Sequence, residues 1–296
     1  MVTLDECERL VEKIRARSTS DEFASHLEEL LLHYKIFEII LGPSVLWRAR
    51  KAQAEPYSRA SDLHYPPAHL VGIGRLNEER SPKLYLATQP RTAILEARVQ
   101  EHEHVQLTGY HLRRQHSLRA ACVGTMYRLQ KEGRTGFLDG AADSETRTIV
   151  DRHLLRRGPN YREVQLFIDA FLATILEDPN ASMEDYRRCR ALARAMLSDP
   201  RTEGVLYPSK ADDTGVCVAL NPGSADASLE MIACVHARVV RVREFGFIEV
   251  ENLRVARGIS KSGGIKWWRD LGFSGRQHVD HLSSSYSPAS DFLYFR

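Results

Sequence analysis

Apolar positions recur at helical spacing at the start of the chain: Leu4, Cys7, Leu10, Val11 and Ile14 share one face, and Thr3 with Glu6 reads as a capping box. Ser18-Thr19-Ser20-Asp21 interrupts that pattern and can cap a second helix, in which Phe23, Leu27, Leu30, Leu31 and Tyr34 repeat every three or four positions. The pair predicts a helical hairpin, with a boundary near residue 43 where Gly42-Pro43 punctuates the chain. Val45 to Arg48 is strand-like, residues 56 to 74 are rich in Pro, Tyr, Ser and Gly and predict an irregular loop, and Lys83 to Ala87 predicts another strand. Thr88 can cap the helix that follows, Pro90 suits a first turn, and Ala93 to Val99 continues it. Val105 to Leu112 alternates weakly as a strand would. Residues 145 to 198 hold three helical patterns separated by Gly158-Pro159 and Asp178-Pro179-Asn180. The β-branched runs Val205 to Tyr207, Val216 to Leu220, Val235 to Val242 and Phe247 to Val250 then predict strands. A Gly/Ser-rich stretch with Lys266-Trp267-Trp268-Arg269 and a Ser-rich tail follow, and no internal repeat is present.

A content of 43% hydrophobic and 27% charged residues argues against a disordered or fibrous chain. No apolar run is long enough to span a membrane, and Asp5, Glu6 and Arg9 stand where a signal peptide needs an apolar stretch, so a cytoplasmic protein is expected. A net charge of +2 is too small for a general polyanion binder, and nucleic acid is not an expected partner. Five widely spaced cysteines without a C-x-x-C pair read as reduced thiols rather than a disulfide framework or zinc ribbon. Glu101-His102-Glu103-His104 lacks the H-E-x-x-H spacing, and His278 and His281 read as surface histidines, so no metal site is expected. Arg187, Arg188, Arg190 and Arg194 read as the solvated face of a helix, and Trp267-Trp268 as an anchor for the terminal segment.

Three polar clusters fall at strand ends or in the turns after them. In Gly72-Ile73-Gly74-Arg75-Leu76-Asn77, glycines permit close backbone approach and Arg75 can fork two hydrogen bonds to a phosphate, although an ordinary turn with a solvated arginine has the same pattern. Tyr85-Leu86-Ala87 is followed by a helix that places Glu96 among Ala93, Leu95 and Val99. A partly buried carboxylate is therefore expected, either paired with an arginine or facing a pocket. Leu206-Tyr207-Pro208-Ser209, with Asn221-Pro222 after the next strand, reads as a turn with a capping serine or as a site edge.

Taken in order, Trp47-Arg48, Gly74-Arg75, Tyr85-Leu86-Ala87, Leu95-Glu96, Tyr207-Pro208-Ser209 and Leu220-Asn221-Pro222 resemble the RES domain, a family named for Arg, Glu and Ser. The resemblance covers about residues 45 to 243, with a longer helical segment between Glu96 and Ser209 than compact members have. Gly74 to Asn77 is similar to the family's G-R-W-N, with Leu76 in place of the aromatic. The resemblance implies an α+β fold with a mixed or antiparallel sheet core of ADP-ribosyltransferase-like type and flanking helices, to which the apolar periodicity adds the N-terminal helical hairpin. Residues 1–43 and those beyond 243 fall outside the resemblance, so the expected layout is a helical extension over 1–43, a RES-like catalytic domain over 44–243 with a helical insertion at about 141–200, and a C-terminal extension over 244–296.

The resemblance further implies an NAD-degrading toxin restrained by an antitoxin, the latter expected to carry a helix-turn-helix domain. Glu96 would then stand beside the positive charge that develops on the ribose, and Arg75 and Arg48 would bind the diphosphate, with Asn77 in the same binding set. Tyr85 would stack on nicotinamide or its ribose, and Ser209 would hydrogen-bond the substrate while aligning Glu96. NAD is consumed as a substrate, with phosphate as an optional co-substrate and no further cofactor. The alternatives are transfer of ADP-ribose to a protein and a non-catalytic interaction module. The hairpin is expected to dock on the core in preference to pairing two copies as a homodimer.

Overall fold

Thr3 Oγ accepts the Glu6 N–H at 3.3 Å while the Glu6 carboxylate accepts the Thr3 N–H at 2.8 Å, so helix α1 (Leu4–Arg15) opens on the capping box its sequence predicts. The computed structural model describes residues 2–16, 20–41, 45–114, 116–135, 140–177, 186–213, 215–269 and 276–280. After α1 come α2 (Ser20–Leu31), β1 (Phe37–Leu41), β2 (Leu46–Ala52), β3 (Leu84–Ala87), α3 (Pro90–Glu96), β4 (His104–Leu112) and β5 (Leu118–Cys122). Four helices follow, α4 (Thr125–Glu132), α5 (Gly140–Leu155), α6 (Pro159–Glu177) and α7 (Tyr186–Met196). The chain continues through β6 (Gly204–Pro208), β7 (Val216–Leu220), α8 (Pro222–Ser228), β8 (Leu229–Val242), β9 (Ile248–Ile259), β10 (Ile265–Arg269) and β11 (Arg276–His278). This is an α+β fold with both parallel and antiparallel strand pairing. Ser18-Thr19, Gly42-Pro43, Asp178-Pro179-Asn180, His281 and the Ser-rich tail lie outside the described residues.

The chain divides into two compact units. The first comprises Met1–Ile39, Gly72–Glu79 and Arg119–Tyr207. In it α1 buries Cys7, Leu10, Val11 and Ile14, packing on α2 and α6, while α2 also packs on α7. The hairpin thus docks on helices of its own unit, as expected from its two apolar stripes. Parallel strands β5 and β6 pair Ala120 with Gly204 and Cys122 with Leu206. The start of α4 is capped from another helix. Asp169 of α6 is fully buried, and its carboxylate accepts the N–H groups of Gly124 and Tyr127, each at 2.8 Å, and the Tyr34 hydroxyl at 2.6 Å.

The second unit comprises Ile40–Val71, Arg80–Leu118 and Pro208–Arg296. Its strands run β7-β3-β2-β4-β8-β9-β10, each pair antiparallel, with β11 also on β9. Trp47 on β2 lies opposite both Ala87 of β3 and Gly109 of β4 and is 1% exposed. A Cβ at Gly109 would come within 3.1 Å of Val45, 3.2 Å of Ala233 and 3.3 Å of the Trp47 ring, so these three side chains together crowd the space that a larger residue would need. Trp267 is the anchor of the Trp pair, its indole N–H donating to the Tyr57 carbonyl at 3.1 Å, whereas Trp268 is exposed beneath the Arg257 guanidinium.

All five cysteines are buried thiols, and burial pushes Cys122 and Cys234 up to about 12. Among the described residues no helix is long and apolar enough to cross a membrane.

Candidate active site

Helix α3 sets the position of Glu96. Pro90 fits its first turn, but Gln89 rather than Thr88 precedes it. Thr88 instead spends its N–H and hydroxyl on the Val216 carbonyl, at 2.9 and 3.3 Å. The helix ends at Glu96, three residues short of the predicted Val99, because Arg98 adopts a left-handed φ of 51° and turns the chain toward β4. That early end overturns the expected partial burial of Glu96: Pro90, Ala93 and Ile94 form the buried face, with Thr92 buried beside it, whereas Glu96 leaves the last turn into solvent. Nor is its partner an arginine. Glu96 Oε1 accepts the Ser209 hydroxyl at 2.5 Å and the Lys210 N–H at 3.0 Å. A carboxylate at a helix C-terminus opposes the helix dipole, so these two donors offset an unfavourable placement.

Ser209 follows β6, and its Oγ also accepts the N–H groups of Ala211 and Asp212, both at 3.1 Å. The capping-serine turn and the contact with the carboxylate are therefore one arrangement. The loop is closed by Ser209 N–H to Gly215 O at 2.9 Å and Gly215 N–H to Asp212 O at 2.8 Å. Asp212 then straps it to α3, accepting the Thr92 hydroxyl at 2.6 Å and Arg91 Nε at 3.2 Å. A Cβ at Gly215 would lie 2.5 Å from Thr92 Cγ2 and 2.6 Å from its Oγ1, a fit only glycine allows. The helix that ends in Glu96 thus carries in its first turn the groups that hold the Ser209 loop.

Arg48 on β2 donates from Nη1 to the Tyr85 carbonyl on β3 at 3.1 Å, tying two of the sequence-marked residues together. Its Nε is buried with no hydrogen-bond partner among the described residues, and burial lowers its pKa from the ordinary arginine value. Tyr85 is half-buried opposite Ala219 of β7, and Asn221 just beyond β7 accepts from Lys83 Nζ.

In the first unit, Arg75 is half-buried with its guanidinium carbon 5.0 Å from the Tyr207 ring centroid, which sets aside the reading of a solvated turn arginine. Gly74 N–H donates to Asn77 O at 3.0 Å, and Asn77 Nδ2 bonds the carbonyls of Gly72 and Glu78, both at 2.9 Å. Asn77 therefore braces its own loop. Leu76 is 3% exposed, so the residue replacing the motif's aromatic packs in the interior. The arginines of α7 do not all form a solvated face. Arg190 is buried at 8% exposure, because its Nε reaches Glu78 of this loop at 2.7 Å.

The RES domain family model matches residues 45–241, about two thirds of the chain. The chain belongs to the RES domain family. No curated protein and no solved structure matches it. At family level, RES domain membership associates the chain with NAD and with toxin–antitoxin systems.

Arg48, Arg75, Asn77, Tyr85, Glu96 and Ser209 all fall inside the RES domain match. Within the second unit the fold joins Glu96 to Ser209 and Arg48 to Tyr85. Within the first it puts Arg75 and Asn77 in one loop. The metal-like run disperses: Glu101 accepts the Val242 N–H, Glu103 pairs with Lys51 at 2.7 Å, and His104 stacks on His236. Among the described residues no cluster of three His, Cys, Asp or Glu side chains is placed to hold a metal ion. Asp212, Thr92, Gly215 and Glu78 escaped the sequence reading. The turn signal of Asp212-Asp213-Thr214-Gly215, three residues after Ser209, is the local pattern that could have found part of this group.

Proposed function

We propose that this RES domain protein cleaves the bond between nicotinamide and ribose in NAD. The observation that carries the reading is the exposed Glu96 carboxylate, held on Oε1 by Ser209 and the Lys210 N–H. Nicotinamide is cationic in NAD, so it departs as a neutral molecule with the C1′–N electron pair and needs no general acid. Positive charge grows on the ribose as it leaves, and a preorganised carboxylate lowers the energy of that state. Water then adds to that same anomeric carbon and releases a proton to give ADP-ribose, or phosphate adds to it to give ADP-ribose phosphorylated at the anomeric position. Glu96 Oε2 keeps free lone pairs for a ribose hydroxyl or for the incoming nucleophile. Arg48, with an unspent buried donor, and Arg75 are assigned to the substrate's anionic groups, Tyr85 to stacking, and Asn77 to keeping the Arg75 loop in shape.

The test is to incubate purified protein with NAD, with and without phosphate, and follow nicotinamide. Free ADP-ribose identifies water as acceptor, its phosphorylated form identifies phosphate, and labelled protein identifies transferase action. A folded protein that releases no nicotinamide defeats the reading. An antitoxin is part of the proposal, since uncontrolled loss of NAD would harm the host. A neighbouring reading frame for a helix-turn-helix protein that suppresses NAD loss on co-expression is the expected finding.

Arg75→Lys keeps the charge but loses the planar fork and is expected to raise KM for NAD by about tenfold with little change in melting temperature. Unaltered KM in that variant would reassign the diphosphate to Arg48. Gly215→Ala forces a methyl against Thr92 and is expected to cost about 1–3 kcal/mol of stability and to displace the Ser209 loop. Nicotinamide release should fall by about tenfold in the folded fraction, and Gly215→Ala with Thr92→Ser should recover part of it.

A further inference from the structure

The Gly72–Glu79 segment carries Arg75, and its far end is tied down by a helix of the long segment between Glu96 and Ser209. Glu78 Oε2 accepts from Arg190 Nε at 2.7 Å and its Oε1 from Arg194 Nη2 at 3.3 Å. The two arginines stand one turn apart on α7 and take the carboxylate from the same face. They are not equivalent. The Arg194 side chain is 75% exposed, and an exposed ion pair contributes little. Arg190 is 8% exposed, and its Nη1 is buried with no hydrogen-bond partner among the described residues.

A buried guanidinium with an unmet donor is unfavourable, and methionine or leucine would fill the same place on α7 at lower cost. What an apolar residue could not do is grip Glu78. That grip passes into the loop: Asn77 Nδ2 bonds both Glu78 O and Gly72 O, and Gly74 N–H bonds Asn77 O, so the backbone on either side of Arg75 is set by the residue that Arg190 holds.

We propose that Arg190 is a positioning residue for Arg75, acting through Glu78 and Asn77, so that α7 sets the protein's affinity for the anionic part of its substrate. Arg190 itself does not touch substrate. The identity of the ligand rests on the NAD reading above, whereas the mechanical link does not.

The experiment compares the full chain with Glu78→Gln, Arg190→Met, Arg190→Lys and the Glu78→Gln/Arg190→Met double variant, by NAD kinetics and by hydrogen exchange of the 72–79 segment. Glu78 is exposed, so its neutral variant opens no cavity and reports on the tie without disturbing the core. Both single variants are expected to raise KM for NAD by about tenfold with kcat within about twofold, and the double variant to be no worse than the more affected single one. Exchange in 72–79 should quicken by about tenfold while α6 keeps its protection, and Arg190→Lys should recover part of both effects. Unchanged KM together with unchanged exchange would overturn the proposal. So would exchange that quickens throughout the unit while kcat falls with stability, because that marks Arg190 as structural only. If the wild type releases no nicotinamide, the NAD reading falls, and local exchange in 72–79 still decides whether Arg190 holds the loop.

Discussion

Glu96→Gln is expected to lower the rate of nicotinamide release by about 100- to 1,000-fold, equivalent to about 2.7–4 kcal/mol of transition-state stabilisation. Glutamine keeps an oxygen where Oε1 accepts the Ser209 hydroxyl and the Lys210 N–H, so the loop geometry survives and only the charge is lost. At the C-terminus of α3 a neutral side chain suits the helix dipole better than a carboxylate does, so the melting temperature should hold or rise slightly. A large fall in turnover with no loss of stability marks a group that acts on developing charge. Ser209→Ala should be milder, about tenfold, because Glu96 keeps its charge and the Lys210 N–H. Measuring kcat and thermal melting on the same preparations decides between these roles, and a Gln variant that turned over NAD at the wild-type rate would remove Glu96 from the mechanism.

What the sequence disclosed follows from the range of the interactions involved. The capping box of α1, the apolar stripes of the hairpin and the β-branched runs of β7 and β8 are local patterns, and each formed as its residues predict. The strand β5 was missed. It reads Leu-Arg-Ala-Ala-Cys, poor in strand formers, and exists because it pairs in parallel with β6 in a buried setting. Helix α4 was missed too: at its start Gly124 takes a left-handed φ of 78° and offers no capping side chain, the acceptor coming from Asp169 instead. The same contrast runs through the candidate site. Arg48, Arg75, Tyr85, Glu96 and Ser209 were legible as an ordered set of motifs. The strap from Asp212 to Thr92 and the tie from Arg190 to Glu78 join residues more than a hundred positions apart, which no local spacing encodes. The residues assigned to substrate in the proposal stood in motifs, whereas Asp212, Thr92 and Glu78, which brace the loops around them, did not.

Asp169→Ala is expected to destabilise the first unit by about 3–5 kcal/mol, because it strands three buried donors at once. Asp169 Oδ1 accepts both the Gly124 N–H and the Tyr34 hydroxyl, while Oδ2 accepts the Tyr127 N–H. Alanine leaves all three unmet and removes the cap from α4, whereas Asp169→Asn can keep its oxygen at the Oδ1 position and satisfy two of them. Its amide nitrogen then faces only the Tyr127 N–H, so the asparagine variant should lose about 1–2 kcal/mol. Burial, opposed by these hydrogen bonds, raises the Asp169 carboxyl above its ordinary value of 3.8, so the folded chain holds this proton to higher pH than the unfolded chain does. That group therefore subtracts from stability as pH rises from the ordinary carboxylate value through the raised folded one, and the asparagine variant should lose this slope. Urea denaturation of the three proteins across that range checks both the order of stabilities and the slope. Equal midpoints for wild type and alanine variant would mean that water satisfies the donors and that Asp169 does not hold α4, α6 and Tyr34 together.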